Sequence, residues 1–328
     1  MSVRGRHLVA YAASMISLIL LQIFFFTDVV DTWSDARIDL VYTLFAEVVC
    51  MGIVPLVALL LLRRKTPIAD TFRTMRFTRP KDFKATALAT LGIMLLIVPY
   101  TMLFNAVTNL LLEVIGYKRA ASVGAIYGGV GDFFIQLALV AVLPAVFEEF
   151  THRGVLLSGM ENRGSEFSAI VWSSLLFGLM HQNPLQMIYA TFGGFVFGLL
   201  VIKTGSVFPA MCAHFANNAI STFIDYSTQR GTAFGKWYDS VAGSSGVLSL
   251  LLTVAVLAFA TYGIISILQY LSRKCPKPIS ERKFFGVITV DDYKPDGKAT
   301  LRDNICLYAV VISESLLLVV FVLWGILR

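Results

Sequence analysis

The stretch Glu148 to Arg153 (EEFTHR) directly follows the apolar run Phe133 to Phe147. Ionisable groups inside a membrane helix are costly and usually line a polar cavity, so they indicate an intramembrane site. On a helix, Glu149 and Arg153 are four residues apart and can pair, and Glu148 and His152 are spaced in the same way. The stretch predicts that one carboxylate is held by a partner while its neighbour stays free for chemistry. A charged helix end at the membrane surface is the alternative for this stretch alone.

The composition of the whole chain agrees with a membrane setting. Hydrophobic residues make up 57% of the 328 residues and charged residues only 15%, which is too apolar for a soluble globular protein of this length. We therefore predict an all-α, polytopic membrane helix bundle with about nine transmembrane segments. These segments are 8–26, 41–62, 85–112, 133–153, 168–181, 185–202, 206–224, 247–271 and 305–327. The three short segments that follow 133–153 are expected to form a compact catalytic core of four helices with it.

The distribution of basic residues predicts an orientation. Lys and Arg are concentrated at the amino terminus, in 63–84 and in 272–304, which places the amino terminus in the cytoplasm and the carboxyl terminus outside. The Glu pair would then lie at the cytoplasmic end of its helix. The net charge of +6 is explained by this topology and by anionic lipid, without a nucleic-acid partner.

Polar residues recur at helical spacing in two later apolar segments. Phe177 and His181 are four residues apart, and so are His214 and Asn218, which therefore share one helix face. Three of the four histidines lie within or after the Glu pair. This concentration favours a shared site over scattered core packing.

The order of these motifs resembles the CAAX protease and bacteriocin-processing (CPBP or Abi) family of intramembrane proteases, which includes the type II CAAX prenyl endopeptidases. The resemblance rests on EExxxR at 148–153, FxxxH at 177–181 and HxxxN at 214–218, and it covers about residues 130–226. It divides the chain into amino-terminal helices with a basic loop (1–129), a CPBP-like protease core (130–226) and carboxyl-terminal helices with a cytoplasmic loop at 272–304 (227–328).

The resemblance implies an intramembrane endopeptidase with a glutamate-dependent mechanism. Glu148 would act as general base on a water that His181 helps to hold, and His214 with Asn218 would bind the oxyanion. Glu149 and Arg153 would form a supporting pair, and Phe177 would orient the helix of His181. The implied partners are a peptide or protein substrate at the membrane and the lipid bilayer itself. The implied location is a bacterial plasma membrane with the site facing the cytoplasm.

Other functions remain open at this level. Glu148, His181 and His214 could instead bind zinc with water in the fourth position, although no HExxH occurs in the chain, and a mechanism without a metal or other cofactor is preferred. A proton-coupled transporter and a non-catalytic scaffold or immunity protein are further alternatives. The sequence identifies neither the substrate, which could be prenylated or not, nor the oligomeric state.

Two more membrane glutamates and one loop carry weaker signals. A structural role is preferred for Glu47 and Glu314, which could pair across helices or face a cavity. Gly193, Gly194 and Gly198 predict close helix packing. The loop 272–304 could form a small hairpin around Val287 to Val290 or remain a solvated linker.

Overall fold

A computed structural model of the chain describes residues 3–25, 27, 32–63, 66–117, 128–160, 166–242, 247–275, 281–284, 287–290 and 301–327. Within these residues the structure is helical apart from one two-stranded hairpin. The prediction of an all-α helix bundle is confirmed. The remainder of the loop 272–304, between these strands and the flanking helices, lies outside the described residues.

The amino-terminal part contains three long helical stretches and one short surface helix. In the second stretch, two α-helices continue into each other through a π-helical segment. The elements are α1 (Val3–Phe25), α2 (Asp35–Leu44), π1 (Phe45–Ile53), α3 (Val54–Leu62), α4 (Ile68–Thr74) and α5 (Phe83–Val114).

The central part contains the helices that carry all three sequence motifs. Its first helix is continuous from Val130 to Met160 but alternates between α and π geometry. The elements are α6 (Val130–Gln136), π2 (Leu137–Val142), α7 (Leu143–Glu149), π3 (Phe150–Leu156), α8 (Leu157–Met160), α9 (Glu166–Met180), α10 (Pro184–Thr204), α11 (Phe208–Gln229) and α12 (Ala233–Ala242).

The carboxyl-terminal part has two long helices separated by the hairpin. Strand β1 (Glu281–Phe284) pairs antiparallel with β2 (Val287–Val290), with Glu281 opposite Val290. The flanking helices are α13 (Val247–Lys274) and α14 (Leu301–Leu327). Of the two alternatives for this loop, the described residues contain the hairpin.

Seven helices among the described residues are long and apolar enough to cross a membrane. They are Arg4–Phe25, Ala36–Leu62, Phe83–Val114, Val130–Met160, Pro184–Thr204, Ser249–Lys274 and Ile305–Leu323. The protein is therefore an integral membrane protein. Each of the nine predicted segments coincides with a helix. Two of these helices are not among the seven: α9, which has only 15 residues, and α11. The number of crossings and the orientation stay predictions.

Two prolines explain where the helix geometry changes. Pro55 and Pro144 lie in the first turn of α3 and α7, directly after π1 and π2. Proline has no N–H and its ring crowds the carbonyl four residues back, so an uninterrupted α-helix would be strained there. Pro144 lies one turn before Glu148. The helix stays continuous and widens into π segments, which often occur at functional sites.

The turn between α9 and α10 brings the second motif close to the third. Asn183 caps α10 by accepting a hydrogen bond from the backbone N–H of Leu185 over 3.0 Å, and Pro184 occupies its first turn, where a missing N–H costs nothing. Helix α10 ends at Gly205, whose φ of 70° favours glycine. Both α9 and α11 pack against α10. The cap at Asn183 and the helix end at Gly205 thus set the ends of α10, against which the helices of Phe177 and His214 pack.

Candidate active site

Glu149 is the centre of a buried ionic cluster. Its Oε1 accepts a hydrogen bond from Arg153 Nη1 over 2.8 Å and another from His214 Nδ1 over 2.9 Å. Neither the Glu149 nor the Arg153 side chain is exposed. The predicted Glu149–Arg153 pair is present, and it also connects the helix of the Glu pair to α11.

Arg153 is further held by an aromatic ring. Its guanidinium carbon lies 4.2 Å from the centre of the Phe177 ring, which is a cation–π distance. The same ring contacts His181 and His214 edge-on, with centroids 5.1 and 5.8 Å away. Phe177 therefore packs between the arginine and both candidate histidines; that it orients the helix of His181 stays a prediction.

His214 and Asn218 are adjacent on one face of α11, as their spacing predicts. Because the Glu149 carboxylate accepts the bond from Nδ1, that nitrogen carries the proton of the neutral ring. Asn218 Nδ2 then donates to His214 Nε2 over 3.2 Å and to the carbonyl of Val140 over 2.9 Å. Both amide hydrogens are thus committed, and one of them fixes α11 to π2.

Glu148 is buried but is not held as Glu149 is. Its Oε2 lies 3.8 Å from His214 Nε2, and this oxygen has no hydrogen-bond partner among the described residues. A buried carboxylate oxygen without a donor carries a desolvation cost, so it needs a functional or structural reason. The two adjacent glutamates therefore have different surroundings: Glu149 is held through Oε1 by Arg153 and His214, whereas neither of these residues donates a hydrogen bond to Glu148 Oε2. Oε2 of Glu149 likewise has no partner among the described residues.

His181 follows α9 directly and lies close to the cluster. Its Nδ1 donates to the carbonyl of Phe177 over 2.8 Å, so Nε2 of the neutral ring is left as an acceptor. The 15 residues of α9 span only about 22 Å, less than the roughly 30 Å of a hydrocarbon core. A count of residues along a full-length membrane helix would place His181 at the far membrane surface. Because α9 is short, His181 lies instead close to the cluster, with its ring 5.1 Å from that of Phe177.

Glu148 and His152 do not pair through their side chains, although their spacing of four residues would allow it. His152 Nδ1 donates to the backbone carbonyl of Glu148 over 3.1 Å, and its Nε2 lies 3.4 Å from the hydroxyl of Tyr11. The His152 side chain is fully buried and packs edge-on against Tyr11 and Phe177. The His152 ring therefore bonds the backbone of Glu148 and packs against Tyr11 and Phe177.

Three further residues lie at or near the site, and the sequence assigned none of them to it. Glu47 is buried in π1, which packs against α7, the helix of Glu148; a structural role is preferred for it from the sequence. Phe197 stacks on His214 with a centroid distance of 5.6 Å. Gly194 has no room for a side chain, because a Cβ there would lie 2.8 Å from Arg153 Nη2 and 3.1 Å from the Phe177 ring. The sequence signal for Glu47 is that it is the single charged residue in the apolar segment 41–62.

The residues do not fit a metal site. Among the described residues, no group of three His, Cys, Asp or Glu side chains is arranged to hold a metal ion. Both nitrogens of His214 already have protein partners, Glu149 and Asn218. A zinc ion at Nε2 would have to displace the amide of Asn218, which is also bound to π2.

Comparison with protein families agrees with the motif order and the geometry. Residues 130–220 match the family model described as type II CAAX prenyl endopeptidase Rce1-like. No curated protein and no solved structure gives a significant match to the chain. The match includes Glu148, Glu149, Arg153, Phe177, His181, His214 and Asn218. Residues 130–220 of this integral membrane protein are therefore similar to the type II CAAX prenyl endopeptidases, which supports the resemblance to CPBP proteases.

Proposed function

We propose that the protein is an intramembrane endopeptidase that hydrolyses a peptide bond of a membrane-associated peptide or protein. The observation that carries this proposal is the difference between the two adjacent glutamates. Glu149 Oε1 accepts hydrogen bonds from both Arg153 and His214, whereas Glu148 Oε2 lies 3.8 Å from His214 Nε2 and accepts no hydrogen bond from it. A carboxylate that is buried, oriented and not neutralised by a partner suits a general base.

In the proposed mechanism, Glu148 takes a proton from a water that attacks the scissile carbonyl. The free Nε2 of His181 accepts the second hydrogen of this water and holds it. The proton on Glu148 then passes to the leaving amine, which needs one when the carbon–nitrogen bond breaks. This sequence returns Glu148 to its starting state.

The oxyanion is bound by His214 and Asn218. An amide hydrogen of Asn218 now directed at His214 Nε2 turns to the substrate oxygen. His214 supplies a second donor when a proton from solvent water binds Nε2 as the substrate enters; this proton stays on the ring through hydrolysis and returns to solvent when the products leave. The positive charge of that ring would lie between Glu148 and Glu149, whose oxygens are 3.8 and 2.9 Å from its nitrogens. Preorganised donors of this kind contribute about 3 to 4 kcal/mol each in other hydrolases.

The proposed reaction needs no cofactor. It is supported by the commitment of His214 to Glu149 and Asn218 and by the lack of a metal-binding triad among the described residues. The substrate is proposed only as a class, a peptide near the surface of what we propose to be a bacterial plasma membrane, with the site open to the cytoplasm.

Cleavage of fluorogenic membrane-proximal peptides by purified protein tests the proposal. The panel includes peptides with and without a prenylated carboxyl-terminal cysteine. Wild type is compared with Glu148→Ala, His181→Ala and His214→Ala, each with and without a zinc chelator. We expect activity to be lost in the three variants and kept with chelator. Loss with chelator and recovery with zinc would instead indicate a metalloprotease, and well-folded wild type that cuts none of the panel would contradict the proposed function.

A further inference from the structure

A chain of side-chain hydrogen bonds connects α5 with the proposed oxyanion donor. The hydroxyl of Thr101 in α5 donates to Asn217 Oδ1 over 3.2 Å, and Asn217 Nδ2 donates to Asn218 Oδ1 over 3.3 Å. Asn218 Nδ2 donates in turn to the carbonyl of Val140 over 2.9 Å and to His214 Nε2 over 3.2 Å. Because α5 packs against both α10 and α11, an amino-terminal helix reaches the site through this chain.

The carbonyl of Val140 determines the direction of every bond in the chain. A carbonyl oxygen only accepts, so the end of the Asn218 amide that faces it is the nitrogen. The oxygen of Asn218 is therefore the end that meets Asn217, which must supply its own nitrogen as the donor. The oxygen of Asn217 is then left for Thr101, whose hydroxyl donates. The chain therefore runs from Thr101 towards the site.

Asn218 needs this support once His214 is protonated in the proposed reaction. In the resting site, His214 Nε2 is an acceptor and keeps the amide nitrogen of Asn218 facing it. A protonated Nε2 is a donor and attracts the amide oxygen instead. An amide that turned in response would direct oxygen, rather than N–H, at the substrate oxyanion. The bond that Asn217 donates to Asn218 Oδ1 opposes this turn, together with the bond to Val140.

We propose that Thr101 is a positioning residue of the oxyanion site. Its hydroxyl holds Asn217 so that Asn217 Nδ2 stays on Asn218 Oδ1, and this keeps the N–H of Asn218 directed at the substrate. The inference rests on the proposed function of Asn218 as an oxyanion donor. It also assigns a role in the reaction to α5, which lies outside the residues 130–220 that match the family model.

The kinetics of Thr101→Val test the positioning role, because valine keeps the branched shape and removes the hydroxyl. We expect kcat to fall about threefold to tenfold, the equivalent of one neutral hydrogen bond. KM should stay within about twofold, since an oxyanion donor acts in the transition state. Thr101→Ser keeps the hydroxyl and should recover most of the wild-type kcat.

Thr90→Val is the matched control in the same helix. The Thr90 hydroxyl donates to the carbonyl of Thr86 within α5, over 2.8 Å, so its loss should leave kcat unchanged. A kcat of Thr101→Val equal to that of wild type, with wild type active, overturns the inference and leaves the proposed peptidase function standing.

A double-mutant cycle distinguishes positioning from a general effect on packing. If Thr101 acts through Asn218, Thr101→Val should lower kcat no further in an Asn218→Ala background. The same fold-reduction in both backgrounds would mean that Thr101 acts by another route, and it would overturn the proposal.

Unfolding provides a readout that does not depend on cleavage. Thr101→Val and Asn217→Ala are compared singly and together by their melting temperatures in detergent. Because both remove the same hydrogen bond, we expect the double variant to lose less than the sum of the single losses. Additive losses would overturn the hydrogen-bonded chain, whether or not any peptide is cleaved. Coupled losses in a protein whose wild type cleaves no peptide would instead overturn the proposed function, and with it the role of Thr101 in the reaction.

Discussion

Glu149 binds His214 through Nδ1 over 2.9 Å and at the same time binds Arg153 over 2.8 Å, with the same oxygen. One carboxylate oxygen thus joins two helices and fixes the proton of the imidazole. The neighbouring Glu148 belongs to the same helical turn but has a different environment. The chemistry proposed above depends on this separation of roles between two identical side chains.

Removal of the Glu149 charge should destabilise the protein strongly. Glu149→Gln leaves the fully buried Arg153 without its counter-ion, and breaking a buried pair in this way costs about 3 to 5 kcal/mol. We expect a clear drop in the melting temperature of the purified protein in detergent.

The double variant Glu149→Leu with Arg153→Met is the control for the charge. It removes both members of the pair and should recover most of the lost stability, but not the activity, because His214 has lost its acceptor. An unchanged melting temperature in Glu149→Gln would contradict the buried pair.

Two neighbouring glycines of α10 should respond in opposite ways to alanine. In Gly194→Ala the added Cβ would lie 2.8 Å from Arg153 Nη2 and 3.3 Å from the Ser174 Cα. Arg153 cannot yield easily, because Glu149 and Phe177 hold it. We expect a loss of about 1 to 3 kcal/mol in the free energy of unfolding, the usual cost of overpacking, together with lower activity.

Gly193→Ala is the matched control, also buried and one residue away. The nearest atom to its added Cβ would be 3.8 Å away, on Phe197, which is an ordinary contact. Alanine is better than glycine in a helix by up to about 1 kcal/mol, so stability should stay equal or rise. Thermal unfolding of both variants checks this, and equal losses would count against the close approach at Gly194.

Substitution of Asn218 should affect turnover more than substrate binding. Asn218→Ala removes a proposed oxyanion donor, and loss of one such donor typically lowers kcat by about a hundredfold to a thousandfold. The control is Asn217→Ala: Asn217 Nδ2 donates to Asn218 Oδ1 over 3.3 Å and its Oδ1 accepts from Thr101 over 3.2 Å. Because Asn217 is proposed to affect the oxyanion only through Asn218, its loss should lower kcat less. The test is to measure kcat and KM of both variants by steady-state kinetics. A larger kcat effect for Asn217→Ala would argue against the assigned role of Asn218.

Substitutions of His152 and His181 should affect stability and activity differently. His152→Phe leaves the buried Tyr11 hydroxyl and the Glu148 carbonyl without their partner, which costs about 1 to 3 kcal/mol each. We therefore expect a lower melting temperature with kcat reduced only modestly. His181→Ala should do the reverse, since His181 is proposed to hold the water. The comparison needs melting curves and kcat for both variants; the opposite pattern would exchange the roles of these histidines.

The sequence alone determined the fold class, the positions of the long helices and the motif residues that meet in the cluster. Long uncharged runs leave a chain few options besides membrane helices, because each backbone polar group must be satisfied internally in lipid. The spacing of four residues likewise put Glu149 with Arg153 and His214 with Asn218, since such residues share a helix face.

Spacing failed where direction around the helix mattered. Glu148 and His152 are also four residues apart, yet the ring bonds the Glu148 backbone and faces Tyr11. The change from α to π geometry within this helix alters which side chains face each other, and the sequence signals it only through Pro144.

Only the tertiary structure decided which glutamate is held by Arg153 and His214, and it alone packed π1, which carries Glu47, against α7. These relations depend on how helices distant in sequence pack: α11 supplies the His214 donor that binds Glu149, and α9 supplies the Phe177 ring against Arg153. Periodicity describes the faces of a single helix, whereas the partner of each face is set by packing between helices. That packing selects the charge state and orientation of every group in the site.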